Sequence, residues 1–153
     1  MLRPLRCTRD ASVFVMADKI RLRVVTPSRL MLDEEVDEVT AIGELGEFGV
    51  LPNHIAFLST LVAGEMSFKQ GATKHVLAVS GGYAEVLDNV MTVLATAAEF
   101  ASEIDSARAQ RAKERAEKQL TEVNREEEDF ELAEVALQRA LVRLQVASKE
   151  TRR

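Results

Sequence analysis

Two groups of side chains in this chain have the types and spacing to do chemistry. The first lies in Gly43-Glu44-Leu45-Gly46-Glu47-Phe48-Gly49-Val50-Leu51-Pro52-Asn53-His54, where two carboxylates, Glu44 and Glu47, precede a histidine. A carboxylate and an imidazole can shuttle a proton if an apolar setting lifts the carboxylate pKa toward neutrality. Nothing apolar is placed to do so here, so the carboxylates read as a solvated turn and His54 as a structural histidine. The second group is Asp105 and Arg108, three residues apart in a helical pattern. They can form a surface ion pair or hold an anion. The acids Glu126, Glu127, Glu128 and Asp129 read as the negatively charged start of a helix, complementing its dipole, with a docking site for a basic patch as the alternative. His75 is the only other histidine and Cys7 the only cysteine. A histidine metal site and a disulfide framework within the chain are therefore excluded. No nucleophile stands beside a base, so an enzyme with its active site in the β domain is set aside.

The elements that must position these groups change character along the chain. Lys19-Ile20-Arg21-Leu22-Arg23-Val24 alternates apolar and basic residues, the period of a half-buried strand with Ile20, Leu22 and Val24 inside. Pro27-Ser28-Arg29 turns the chain, residues 30–32 form a short run, Asp33-Glu34-Glu35 reads as an acidic turn, and residues 36–42 as strand. The three glycines of the 43–54 segment mark a shaped connection, since glycine reaches positive φ at no steric cost. Residues 55–62 follow as an apolar run with Leu58, Leu61 and Val62 as core. Residues 65–69 and 74–79 flank a hairpin turn at Gln70-Gly71-Ala72, Gly81-Gly82 breaks the return strand, and Asp88-Asn89 turns between strands 83–87 and 90–95. Short strands with frequent turns and no helices between them indicate an antiparallel sandwich or flattened barrel.

From residue 102 onward there is no Gly or Pro. Ser102 reads as an N-cap, with a first helix from about 103 to 121 and an apolar stripe of Ala109, Ala112, Ala116, Leu120 and Val123. A second helix carries Phe130, Ala133, Leu137, Ala140, Leu144 and Ala147 at heptad-like spacing. A short linker around 122–125 makes the pair an antiparallel hairpin. Such a pair buries little apolar surface, so it must lean on the β domain or on a partner, and is a candidate movable arm. The fold class is thus α+β, with residues 16–100 as the β-sandwich domain and 101–153 as the helical hairpin. Residues 1–15 carry Arg3, Arg6 and Arg9 with no clear period. They read as an extension, disordered or not native, with a targeting peptide as the sharper alternative. Net charge is -5 at pH 7 with no basic stripe, which argues against nucleic acid as a partner. No apolar run approaches the ~20 residues needed to span a bilayer.

The 43–54 segment, Ser80-Gly81-Gly82-Tyr83-Ala84-Glu85-Val86, the strand Thr92-Val93-Leu94, and Ala97-Ala98-Glu99 followed by a helical hairpin occur here in that order. Together they resemble the epsilon subunit of F-type ATP synthases in its bacterial and chloroplast form, whose wording is Gly-x-x-Gly-x-x-Gly-x-Leu-Pro-x-His and Gly-Gly-x-x-Glu-Val. The resemblance covers residues 18 to about 149. One departure is Ala56, where the family often has proline. The resemblance implies a non-catalytic central-stalk subunit. Its sandwich would bind the gamma subunit and sit against the ring of c subunits, coupling proton transport to ATP synthesis. Its hairpin would reach the alpha/beta catalytic head and inhibit ATP hydrolysis. It implies peripheral attachment at the cytoplasmic face of the bacterial plasma membrane.

Ile104-Asp105-Ser106-Ala107-Arg108-Ala109 matches the (Ile/Leu)-Asp-x-x-Arg-Ala pattern with which nucleotide-binding epsilon subunits hold ATP. By the same resemblance Glu99, Arg139 and Arg143 complete the site with Asp105 and Arg108. Arginine suits phosphate because its planar fork donates two charge-assisted hydrogen bonds. No cofactor is required, and ATP enters as a regulatory ligand that is sensed and not hydrolysed, since no P-loop or metal cluster accompanies the motif. The alternative function is a stand-alone nucleotide-binding sensor.

Overall fold

The computed structural model describes residues 18–123 and 128–150. The expectations for residues 1–15, Cys7, the 122–125 linker beyond Val123, Glu126 and Glu127 lie outside these residues. Eight strands come first: β1 Ile20–Val25, β2 Leu30–Val36, β3 Glu38–Gly43, β4 Gly46–Val50, β5 Phe57–Gln70, β6 Thr73–Leu87, β7 Val90–Ala95 and β8 Ala98–Phe100. A single 3-10 turn, Ala101–Glu103, leads into α1, Ser106–Glu122, and then α2, Glu128–Glu150.

The strands are ordered β2-β1-β7-β6-β5-β3-β4, with β8 also on β6. β5 and β6 are long enough to serve both layers of a sandwich. The end of β6 pairs with β7 through Gly82↔Ala95 to Leu87↔Val90, whereas its middle pairs with β8 through Leu77↔Phe100 to Val79↔Ala98. The change of layer falls at Gly81-Gly82, at φ of 100° and 136°. A Cβ on Gly82 would stand 2.0 Å from the Leu94 carbonyl oxygen, so only glycine fits this corner. All pairings are antiparallel except β1 with β7, which run parallel.

Several local expectations are corrected. Gly81-Gly82 bends one continuous strand and does not end it, because the ladder to β5 resumes on both sides. Residues 57–70 are likewise one strand. Alternation over its first half turns Leu58 and Val62 outward, 71% and 38% exposed, and Leu61 inward. Asp33-Glu34-Glu35 lies within β2, where Asp33 takes both Nε and Nη2 of Arg21, at 2.6 and 3.0 Å. That bidentate pair holds the Asp33 carboxyl below the usual carboxylate range. Most of the glycine segment is the hairpin β3–β4, joined by Glu44 and Leu45 alone.

The core of the sandwich is aliphatic and includes Ile20, Leu22 and Val24 as the alternation predicts, all fully buried. Asp88 and Asn89 both have positive φ, the two-residue hairpin turn expected between β6 and β7. Helix α1 starts later than Ser102 predicts. Asp105 is its N-cap, with Oδ1 accepting the Arg108 N–H at 2.9 Å, because the chain first turns through 101–103. In α1 the buried residues are Ala109 and Ala116, and in α2 Ala133 and Ala140, which lets the two axes approach closely. Helix α2 has a second buried face absent from the heptad reading. Val142 and Val146 pack with Ala78 of β6 and Ile104, bordered by Val76, Ala101 and Ala147. The hairpin is therefore folded down on the sandwich.

Candidate functional site

The first candidate group dissolves. Glu44 and Glu47 are exposed on the β3–β4 hairpin. His54 sits in a turn, its N–H donating to the Leu51 carbonyl at 3.2 Å and its ring edge-on to Phe57 at 5.7 Å.

The second group opens onto a cleft of about 230 Å³ where the sandwich, the start of α1 and the end of α2 meet. It is lined by Glu99, Glu103, Asp105, Arg108, Arg115 and Arg143, with Ala109 and Ala112 as its floor. Each element contributes for a local reason. Strand β8 ends at Phe100 and sets Glu99 facing α2. The 3-10 turn is closed by Glu103, whose carboxylate accepts the Phe100 N–H at 3.1 Å and Arg29 Nη2 at 2.9 Å. Arg29 first, then the Phe100 N–H, hold the Glu103 carboxyl below its usual range. Asp105 spends one oxygen on the α1 cap, so Arg108 is anchored by its backbone and its guanidinium stays available to the cleft. On α2, Arg143 donates Nε to Glu99 Oε1 at 2.9 Å, its Nη2 lies 2.8 Å from the same oxygen in an ion pair, and Nη2 donates to Ser80 Oγ at 3.4 Å.

Four of the five expected site residues, Glu99, Asp105, Arg108 and Arg143, thus meet in one cleft. Arg139 does not line it. It sits one turn before Arg143, and its Nε is buried with no hydrogen-bond partner among the described residues. An orphaned buried donor is costly to leave unmade, on the order of 1–3 kcal/mol. Two further lining residues, Arg115 and Glu103, were not singled out from the sequence. Arg115 follows Arg108 by seven positions, two helical turns along the same face, and that spacing is the signal that finds it. The cleft as it stands gathers three guanidinium groups and three carboxylates. One of those guanidiniums, Arg143, is already neutralised by Glu99. Among the described residues no group of His, Cys, Asp or Glu is placed to hold a metal ion.

A second concavity, about 400 Å³ and apolar, lies on the outer face of the β1–β7–β6 layer. Val25, Pro27, Tyr83 and Leu94 form it, with Tyr83 58% and Leu94 54% exposed. No helix among the described residues is long and apolar enough to cross a membrane.

A sandwich of this topology followed by a folded-down helical pair defines the class. The family model for the β-sandwich domain of the ATP synthase delta/epsilon chain matches residues 19–101, and that for its long α-helix domain matches residues 102–148. The chain belongs to the ATP synthase delta/epsilon family. Within it, the relatives are of the epsilon type. An ATP synthase epsilon chain of Geobacter sp. strain M21 is 49% identical over 138 residues, covering 90% of this chain and 100% of the relative. That of Syntrophobacter fumaroxidans is 53% identical over 134 residues, covering 88% and 99%. Among solved structures, a chain in the Euglena gracilis mitochondrial ATP synthase, OSCP/F1/c-ring, superposes with a TM-score of 0.74 at 25% identity, covering 97% of this chain and 91% of that one. One in the Tetrahymena thermophila mitochondrial ATP synthase central stalk and c-ring shares the fold, with a TM-score of 0.55 at 16% identity.

Proposed function

We propose that this chain is the non-catalytic rotor subunit of an F-type ATP synthase, and that its hairpin is an inhibitory arm held down by ATP. The observation that carries the regulatory part is the convergence of Arg108 and Arg115 of α1 with Arg143 of α2 on one cleft. Those side chains come from elements that share the cleft only while the hairpin is folded, so an anion there binds the folded arrangement alone. A ligand shifts a conformational equilibrium by its differential affinity for the two states, so ATP favours the folded hairpin and its loss releases it. The phosphates suit the guanidinium forks of Arg108 and Arg115, which line the cleft. At about 230 Å³ the cleft is smaller than the ~300–1,000 Å³ of ordinary ligand pockets, so it takes the phosphate chain with the rest of the nucleotide at its mouth. These residues bind and orient, and no hydrolytic step is assigned to them.

The rotor part rests on the family and on the apolar concavity at Tyr83 and Leu94. An exposed apolar face of this kind marks an interaction surface. We assign it to the gamma subunit, with the c-subunit ring below the sandwich and the alpha/beta head as the target of the released hairpin. The synthase then sits with this chain peripheral to the cytoplasmic face of a bacterial inner membrane, coupling proton transport to ATP synthesis. The test is reconstitution. The chain should bind gamma stoichiometrically and suppress ATP hydrolysis by an epsilon-free complex, more strongly at low ATP. A chain that binds ATP but neither associates with gamma nor suppresses hydrolysis is the stand-alone sensor instead.

A further inference from the structure

Strand register places three residues in one row across the sandwich: Glu65 of β5 opposite Ala78 of β6, and Ala78 opposite Glu99 of β8. Directly paired residues project to the same face, so the row reads carboxylate, methyl, carboxylate. Helix α2 crosses this row. Arg143 bonds Glu99 at 2.8 Å, Val146 packs with Ala78, and Lys149 Nζ bonds Glu65 at 2.5 Å. The spacings agree. Two strand separations are about 10 Å, and the six residues from Arg143 to Lys149 rise about 9 Å. A cation, a valine and a second cation at intervals of three therefore match the row one for one.

The geometry points to this row as the device that seats α2, with the Glu65–Lys149 pair as a latch independent of nucleotide. Arg143 and Glu99 line the cleft, so an anion there competes with Glu99 for Arg143. Glu65 and Lys149 do not line it. Their pair survives while Arg143 changes partners, and it sets how much hairpin stays docked when the cleft is empty. The Glu65 carboxylate is only 16% exposed, flanked by sheet, which shields the pair from solvent more than an ordinary surface pair. This inference rests on the hairpin being a movable arm, but not on ATP being its ligand.

The test is hydrogen exchange of the α2 amides around 142–149 in the full chain without nucleotide. In Glu65→Gln these amides should exchange about three-fold faster than in wild type at low salt, with β5 and β6 protection unchanged. At about 0.5 M KCl the wild type should approach the variant, because salt screens the pair. Lys149→Gln should behave alike and carries the test if Glu65→Gln disturbs the sheet. The exchanged pair, Glu65→Lys with Lys149→Glu, should restore slow exchange. Equal exchange in wild type and both single variants at low salt, or no recovery in the exchanged pair, overturns the latch. ATP binding is measured separately by calorimetry, so a chain that binds no ATP yet shows this pattern keeps the latch and loses the nucleotide reading.

Discussion

The sandwich and the hairpin are held by different amounts of the same interaction. Among the described residues the sandwich core gathers nineteen buried apolar residues in one cluster. The contact of the hairpin with the sandwich has four, of which Val142 and Val146 alone come from α2. Within the hairpin the fully buried residues on α1 and on the remaining face of α2 are alanines, which pack closely but remove little surface from water. Polar groups finish the docking: Arg143 to Glu99, Lys149 to Glu65, and Arg29 to Glu103. The sandwich therefore rests on a large apolar core, whereas the hairpin is held to it by a small apolar contact and ion pairs.

The sharpest way to break this contrast is in the platform. Leu22→Ala, at a fully buried site, should cost about 3 kcal/mol in denaturant unfolding and lower sandwich and hairpin protection together. Val146→Ala should cost about 1–2 kcal/mol in docking alone, read as faster exchange in α2 with the unfolding midpoint of the sandwich unchanged. If Val146→Ala lowers the sandwich midpoint as much as Leu22→Ala does, the two regions are one cooperative unit and the contrast fails. Asp105→Ala should cost about 1 kcal/mol at the start of α1, seen as fraying of its first turn by NMR.

The smallest effect is in pH. Asp33, Asp37 and Glu103 carry carboxyls lowered by Arg21, Lys19 and Arg29 respectively. A carboxyl whose folded pKa is depressed contributes stability that is complete above its unfolded value, about 4, and is lost as pH falls through the folded one. Thermal unfolding should therefore be flat from neutrality to about pH 5 and decline below about pH 4. Asp33→Asn should reduce that decline in the sandwich, and Glu103→Gln should reduce it at the hairpin junction.

How legible each region was in the sequence follows the same contrast. Strand β1 was plain because Ile20, Leu22 and Val24 alternate with charged neighbours and only one face is buried. The Asp88-Asn89 turn was plain because few residue pairs adopt positive φ twice. The length of β6 was hidden, since Gly81 and Gly82 look like breakers. A ladder to neighbouring strands decides whether a glycine bends a strand or ends it, and that information is not local. Leu58 and Val62 look like core by apolar identity, but alternation puts both on the face opposite Leu61. On α2 the heptad seam was legible, but Val142 and Val146 lie off it, and a single-stripe reading assigns a helix only one partner. At the cleft, the motif carried Asp105 and Arg108, and the resemblance carried Glu99 and Arg143. Arg115 looked like any solvated arginine until the helix face placed it beside Arg108, and Arg139 stayed outside the lining.

Calorimetric titration of ATP into the isolated full chain tests whether the folded hairpin carries an ATP site. The wild type should give a saturable heat with one site per chain. Arg108→Ala keeps the backbone N–H that caps α1 and loses only the guanidinium, so it should weaken binding at least about ten-fold with the fold intact. No heat with the wild type, or equal affinity in the wild type and Arg108→Ala, would contradict the account.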